Sequence, residues 1–291
     1  MSINHRRTRR VAASLVASIA VLASCSTGGD ESSETEQLRI VSLSPTATEM
    51  MYLIGADDLL VAVDSFSTFP AEAAEKATDL SAFEPNAEAI LGYEPDVVLL
   101  GFDSNNISEQ LSSADPSITV WLGAAAASLD DAYRQITELG ELTGRVDEAE
   151  EAVSALSGRI TAAIEGVTAP PGTTYYYELD DTLYSVTSNT FVGALLAEFG
   201  LVNIADGVEE GNDYPQLSAE VIIEKNPTLI FLADTKCCGQ NAATVAARPG
   251  WEGIDAVVNG RVIELDDDVA SRWGPRLATL VEQFADAVKS L

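Results

Sequence analysis

R-I-V-S-L-S-P-T-A-T-E, residues 39–49, joins a strand to a helix with almost no loop between them. The short apolar run from Arg39 to Leu43 predicts a strand. Ser44-Pro45-Thr46 followed by Glu49 supplies an N-cap, a proline for the first helical turn and a capping box from Thr46 to Glu49. A helix over Thr46 to Ile54 therefore starts where the first strand stops, which is the opening of a βα unit.

The same alternation continues outward. Strands are expected at Leu59 to Val63, Asp96 to Gly101 and Ile118 to Leu122, with a helix at Asn86 to Leu91. From Ser128, apolar residues recur at helical spacing through Leu129, Ile136, Leu139, Leu142, Val146, Ala149, Val153, Leu156, Ile160 and Ile164, interrupted by Gly140, Gly144 and Gly158. This pattern predicts one helix ending near Gly144 and a long helix from Val146 to Glu165, stopped by Pro170-Pro171-Gly172. The second half repeats the pattern. Strands are expected at Thr173 to Leu179, Leu183 to Val186, Thr228 to Ala233 and Arg261 to Leu265, and helices at Phe191 to Phe199, Ser218 to Lys225, Ala242 to Ala247 and Pro275 to Leu291. Strands alternating with helices imply parallel pairing. The expected architecture is two α/β lobes with mainly parallel sheets, 38–144 and 171–291, joined by one long bridging helix within 145–170.

The chain begins with a basic segment (Arg6, Arg7, Arg9, Arg10), an apolar run from Val11 to Ala23 and L-A-S-C ending at Cys25. This reads as a bacterial lipoprotein export signal, too short to span a bilayer. Cys25 is the expected lipidation site, so the mature protein is extracytoplasmic and anchored to the cell membrane by lipid alone. Residues 26–37, S-T-G-G-D-E-S-S-E-T-E-Q, form a disordered acidic tether.

Four of the 16 basic residues fall in the signal, leaving twelve against 46 acidic ones, so nucleic acid is excluded as a partner. The single histidine, His5, also lies in the signal. The mature chain therefore has no Ser-His-Asp or Cys-His centre and no His-ligated zinc. No P-loop, G-x-S-x-G or glycosidase signature replaces them, and no catalytic residue, cofactor or resident metal is expected. The alternative from another class is a lipid-anchored enzyme working with carboxylates. Cys237 and Cys238 are adjacent in an oxidising compartment, where a vicinal disulfide is expected and two free thiols are the alternative.

Six strings in order carry a resemblance: V-S-L-S-P-T-A-T-E at 41–49, V-A-V-D-S-F-S-T-F-P at 61–70, F-E-P-N-A-E at 83–88, E-P-D-V-V at 94–98, Y-P-Q-L-S-A-E at 214–220 and S-R-W-G-P-R at 271–276. Across nearly all of 38–291 the chain resembles the Fe/B12 class (class III) of substrate-binding lipoproteins of ABC importers, with the cobalamin binders nearest in pattern. The resemblance implies two lobes on a bridging helix, a ligand cleft between them, and a monomer that delivers cobalamin or a ferric siderophore to an ABC permease. Ser271, and the pair Cys237-Cys238, stand outside the cobalamin-binder pattern.

Phe66 lies just after the second strand, Phe83 in a loop before a helix and Phe102 directly after the strand Asp96 to Gly101, where exposed aromatic side chains suit a large, partly apolar ligand. The resemblance adds Tyr184, Tyr214, Asp268 and Arg272 as ligand-binding positions, with Trp273 able to stack. It also gives Glu88 and Glu220, one in each lobe, as contacts for arginines on the permease. Arg276 reads as structural, and Asp266 and Asp267 as a solvated run.

Overall fold

A computed structural model of the protein describes residues 37–291. The expected export signal, Cys25 and all but the last residue of the tether lie outside the described residues. The first lobe is built from β1 (Ile40–Leu43), α1 (Pro45–Leu53), β2 (Leu60–Val63), α2 (Ala87–Leu91), β3 (Val97–Leu100), α3 (Ile107–Ala114) and β4 (Thr119–Leu122). Its strands are all parallel, in the order β2-β1-β3-β4. All four residues of β1 and of β3 are buried, which is why they read as continuous apolar runs rather than as alternating ones.

After α4 (Leu129–Thr143) and α5 (Val146–Ile164), the second lobe follows with β5 (Thr174–Glu178), α6 (Phe191–Ala197), β6 (Val202–Asn203), α7 (Ala219–Lys225), β7 (Leu229–Leu232), α8 (Ala242–Ala246), α9 (Asp255–Val258), β8 (Val262–Glu264), α10 (Asp267–Ala270) and α11 (Leu277–Lys289). Its parallel sheet runs β6-β5-β7-β8, the same order as the first. The two α/β lobes thus share one winding. Among the described residues no helix is long and apolar enough to cross a membrane.

α5 connects the lobes. Its buried stripe of Ala149, Ala152, Leu156, Ile160 and Ala163 belongs to one apolar core with Ile136 and Leu139 of α4, Val281 and Phe284 of α11, and Tyr177 and Phe231 of the second sheet. Gly140, a weak point for helix formation, has a packing reason. A Cβ there would lie 2.4 Å from Ala149 Cβ and 2.9 Å from the Arg145 carbonyl oxygen, so only glycine allows α4 and α5 to approach this closely. Gly144, at φ +71°, closes α4 in the left-handed region.

Two local expectations are corrected. The helix after β1 is capped by Ser44, whose Oγ accepts the Ala47 N–H at 3.2 Å while its own backbone stays extended, so no Thr46–Glu49 capping box forms. Glu49, released from capping, faces elsewhere. Leu183 to Val186 is not a sheet strand. Asp180 accepts the Thr182 N–H in a tight turn and Leu183 takes φ +69°. The segment then folds back so that the Leu179 N–H reaches the Tyr184 carbonyl at 2.9 Å and Tyr184 bridges antiparallel to Gln216. The place left beside β5 is taken by the two-residue β6, which is too short for a periodic signal.

Candidate functional site: a cleft between the lobes

The carboxyl ends of β1, β2 and β3 open onto a cavity of about 500 Å³ closed on its far side by the second lobe. The first lobe contributes Leu43 to Thr46, Asp64, Phe66, Phe83 and Phe102, and the second contributes Cys237, Asp268, Ser271, Arg272 and Trp273. Crevices at the carboxyl ends of parallel strands are where open α/β sheets bind ligands, because the strand-to-helix loops converge there. Phe66 and Phe83 meet edge to face with ring centroids 5.5 Å apart, and Phe83 and Phe102 lie 5.4 Å apart at 49°. These rings are 49 %, 62 % and 43 % exposed, a contiguous apolar patch left facing water.

A second cavity of about 250 Å³ adjoins the first and shares Arg272 and Trp273 with it. Tyr177, Val186, Phe191 and Tyr214 line it from the second lobe. The fold therefore gathers Phe66, Phe83, Phe102, Asp268, Arg272 and Trp273 around one space and Tyr214 around its neighbour. Tyr184 lines neither, sitting on the antiparallel excursion beside Gln216.

Arg272 is held before any ligand arrives. Its guanidinium donates to Glu49 Oε1 at 2.8 Å and Asp268 Oδ1 at 2.8 Å, and lies 3.3 Å from the Phe66 carbonyl oxygen. Glu49 belongs to α1 of the first lobe and is buried. It also accepts from Arg276, Nε at 3.0 Å and a second nitrogen at 2.6 Å. Arg276, read as structural, is so here. Its guanidinium joins the lobes through Glu49 and lies 4.3 Å from the centroid of the Phe69 ring. Trp273 is likewise fixed across the lobes, its indole N–H donating to Gln135 Oε1 of α4 at 2.8 Å.

The wall around Cys237 departs from expectation twice. Cys237 and Cys238 are free, exposed thiols rather than a vicinal bridge. The turn is organised without a covalent ring by Asp267, which accepts the backbone N–H groups of Lys236 at 3.0 Å and Cys237 at 2.7 Å. Asp267 is therefore not part of a solvated run. Burial opposes its ionisation, but these amides and the Thr235 hydroxyl outweigh it and hold the carboxyl below the usual range. Asp266 pairs with Lys236 Nζ at 2.6 Å. Although Cys237 is exposed overall, desolvation of its sulfur, followed by its contacts with Cys238 and Asp267, pushes the thiol up to about 12. It is a neutral group on the cleft wall.

Residues that sequence reasoning passed over complete the site. Asp64, at the end of V-A-V-D, is fully buried, with Oδ1 accepting from Ser67 Oγ at 2.6 Å and Oδ2 left without a partner. Burial raises its carboxyl, against the smaller opposing effects of Ser67 and Arg272. An acid closing an otherwise apolar strand was the available signal. Glu49 and Gln135 gave none, since Glu49 read as a capping residue and Gln135 as an ordinary helix position. Glu88 and Glu220 are exposed on α2 and α7, helices capped by Asn86 and Ser218, and they form no ion pair among the described residues. No group of three or more His, Cys, Asp or Glu side chains suited to a metal ion occurs among the described residues.

Residues 40–269 match the family model described as periplasmic binding protein. The chain is 30% identical over 262 residues to the cobalamin-binding protein of Halobacterium salinarum, covering 87% of this chain and 70% of that one. It is 29% identical over 270 residues to an uncharacterized ABC transporter substrate-binding lipoprotein of Bacillus subtilis, covering 89% of this chain and 82% of the other. Among solved structures, the periplasmic vitamin B12-binding protein of Vibrio cholerae is similar at TM-score 0.70 and 26% identity, over 86% of this chain and 96% of that one. The family model spans most of the chain and the solved structure shares its fold over most of both chains, and the chain belongs to the periplasmic binding protein family.

Proposed function

We propose that the protein is the substrate-binding lipoprotein of an ABC importer, held to the outer face of the membrane through Cys25, that captures cobalamin or a ferric siderophore and hands it to the permease. The observation that carries this reading is the exposed triad Phe66, Phe83 and Phe102 facing Arg272 and Trp273 across the cleft. Rigid rings give a large apolar ligand contact area at low entropic cost, while the opposing wall offers polar groups that orient it. The two adjoining cavities take one part of such a ligand and leave the rest to solvent. Glu49 and Asp268 are already committed to arginines, which suits a binding cleft better than acid–base chemistry. Relatives named as binding proteins support the same choice.

Phe83→Ala is expected to weaken binding of the cognate ligand about thirtyfold, the loss typical of a central aromatic anchor. Fluorescence titration of wild type and variant with cyanocobalamin and ferric hydroxamates checks this. Equal affinity, or turnover of the bound compound, would remove the cleft from the binding role.

In this reading Glu88 and Glu220 dock one lobe each against basic groups on the permease. The double variant Glu88→Ala/Glu220→Ala is then expected to keep its ligand affinity and to lose uptake in cells. Contacts this far apart act additively, so it should fall below either single variant. The difference from wild type, measured with purified permease, should shrink as salt screens the charges. Normal uptake by the double variant would return both residues to the simpler role of acids favoured at helix starts.

A further inference from the structure

Arg272 is the one cation lining the larger cavity among the described residues, and its donors already face Glu49, Asp268 and the Phe66 carbonyl. The cations behind it are similarly engaged, Arg276 by Glu49 and Lys236 by Asp266 and Asp268. An anionic ligand would find no free positive partner here and would meet Asp64 and Asp268 instead. Asp64 is the opposite case, with an unused acceptor. Its Oδ1 ends a buried hydroxyl chain in which Thr48 Oγ1 lies 3.0 Å from Ser67 Oγ and donates to Ser42 Oγ at 2.9 Å. The chain fixes the carboxyl and occupies one oxygen, while Oδ2 has no partner although the side chain is buried and lines the cavity. Natural structures leave few buried acceptors unpaired, and those that remain call for a specific reason.

We propose that Asp64 is the specificity-determining contact of the cleft, its free Oδ2 accepting a hydrogen bond from an N–H donor on a neutral or cationic ligand. The same charge distribution turns away ligands that present carboxylates or catecholates. This rests on the importer reading and narrows it to carboxamide-bearing corrinoids or cationic hydroxamate chelates, with dianionic haem and triscatecholate iron excluded. A carboxylate bonded to an amide N–H forms a charge-assisted bond, roughly twice as strong as a neutral pair.

The test is calorimetric titration of wild type, Asp64→Ala and Asp64→Asn with cyanocobalamin, ferrioxamine B, haemin and ferric enterobactin. Wild type is expected to bind one of the first two at least tenfold more tightly than either of the others. Asp64→Ala should lose about tenfold or more of that affinity. Asp64→Asn keeps the shape and an acceptor, and should lose less toward neutral cyanocobalamin than toward cationic ferrioxamine B. If Asp64→Ala does not fold, the Asn variant decides. Wild-type affinity in the folded variants, or tight binding of haemin or ferric enterobactin, would overturn the assignment of Asp64 and leave the importer reading standing. Binding of none of the four by wild type would overturn both.

Discussion

Replacing Glu49 by alanine is expected to destabilise the protein by roughly 3–5 kcal/mol, because it leaves two largely buried arginines without their shared carboxylate. Arg272 keeps Asp268, but Arg276 retains only a long contact to the Asp268 carbonyl oxygen and the Phe69 ring. For a chain of this size such a loss lowers Tm by about 6–20 °C. Glu49→Gln should fall between, since it restores an acceptor without charge. Differential scanning calorimetry of both variants measures the effect. A Tm within about 2 °C of wild type for Glu49→Ala would mean that the inter-lobe pairs contribute nothing net. Since Glu49 is on α1 and both arginines lie in the second lobe, the same variant should also loosen the cleft and raise proteolysis within the Phe66 and Cys237 loops.

Stability is expected to fall as pH rises from 5 to 8, through Asp234. Its carboxyl is fully buried with neither oxygen partnered, beside Glu178, which is itself paired with Arg248. Burial first, and then the charge of Glu178, raise it from the ordinary 3.8 to about 7. The folded state therefore favours the protonated form of Asp234. The sign follows: this contribution is fully present below the unfolded value near 4 and is lost as pH passes through about 7. The displacement corresponds to roughly 4 kcal/mol across that window. Asp234→Asn, which donates without titrating, should be flatter with pH and more stable than wild type at pH 8. Thermal unfolding of the two proteins at pH 5 and pH 8 decides it, and parallel changes in both would rule Asp234 out. Asp64, also raised by burial, acts in the same direction in both proteins and cancels in the comparison.

What can be read locally in this chain proved legible in its sequence. The buried runs of β1, β3, β5 and β7, the Ser44-Pro45 start of α1, the helix starts at Asn86, Ser128 and Ser218, and the glycine closing α4 each depend on residues within one or two turns of each other. Periodicity and capping are enough for such features. The strands that escaped or misled the reading, β6 and Leu183 to Val186, are those whose state is set by neighbours in space. A left-handed Leu183 and a two-residue pairing leave no periodic trace.

For the site, residue type and loop position, after a strand for Phe66 and Phe102 and before a helix for Phe83, were enough to single out these rings, and family likeness added Asp268 and Arg272, with Trp273 beside it. Their meeting around one cavity required the fold. Arg272 and Glu49 are 223 residues apart in sequence, and Trp273 and Gln135 are 138 apart, so no local rule could pair them. Sequence alone therefore determined β1 to β5, β7 and β8, the helices α1, α2, α4 to α8 and α11, and a set of aromatic residues in the loops beside them. The tertiary structure decided which cations are already neutralised and which carboxylate is left free, because charge compensation depends on distance in space rather than on order along the chain.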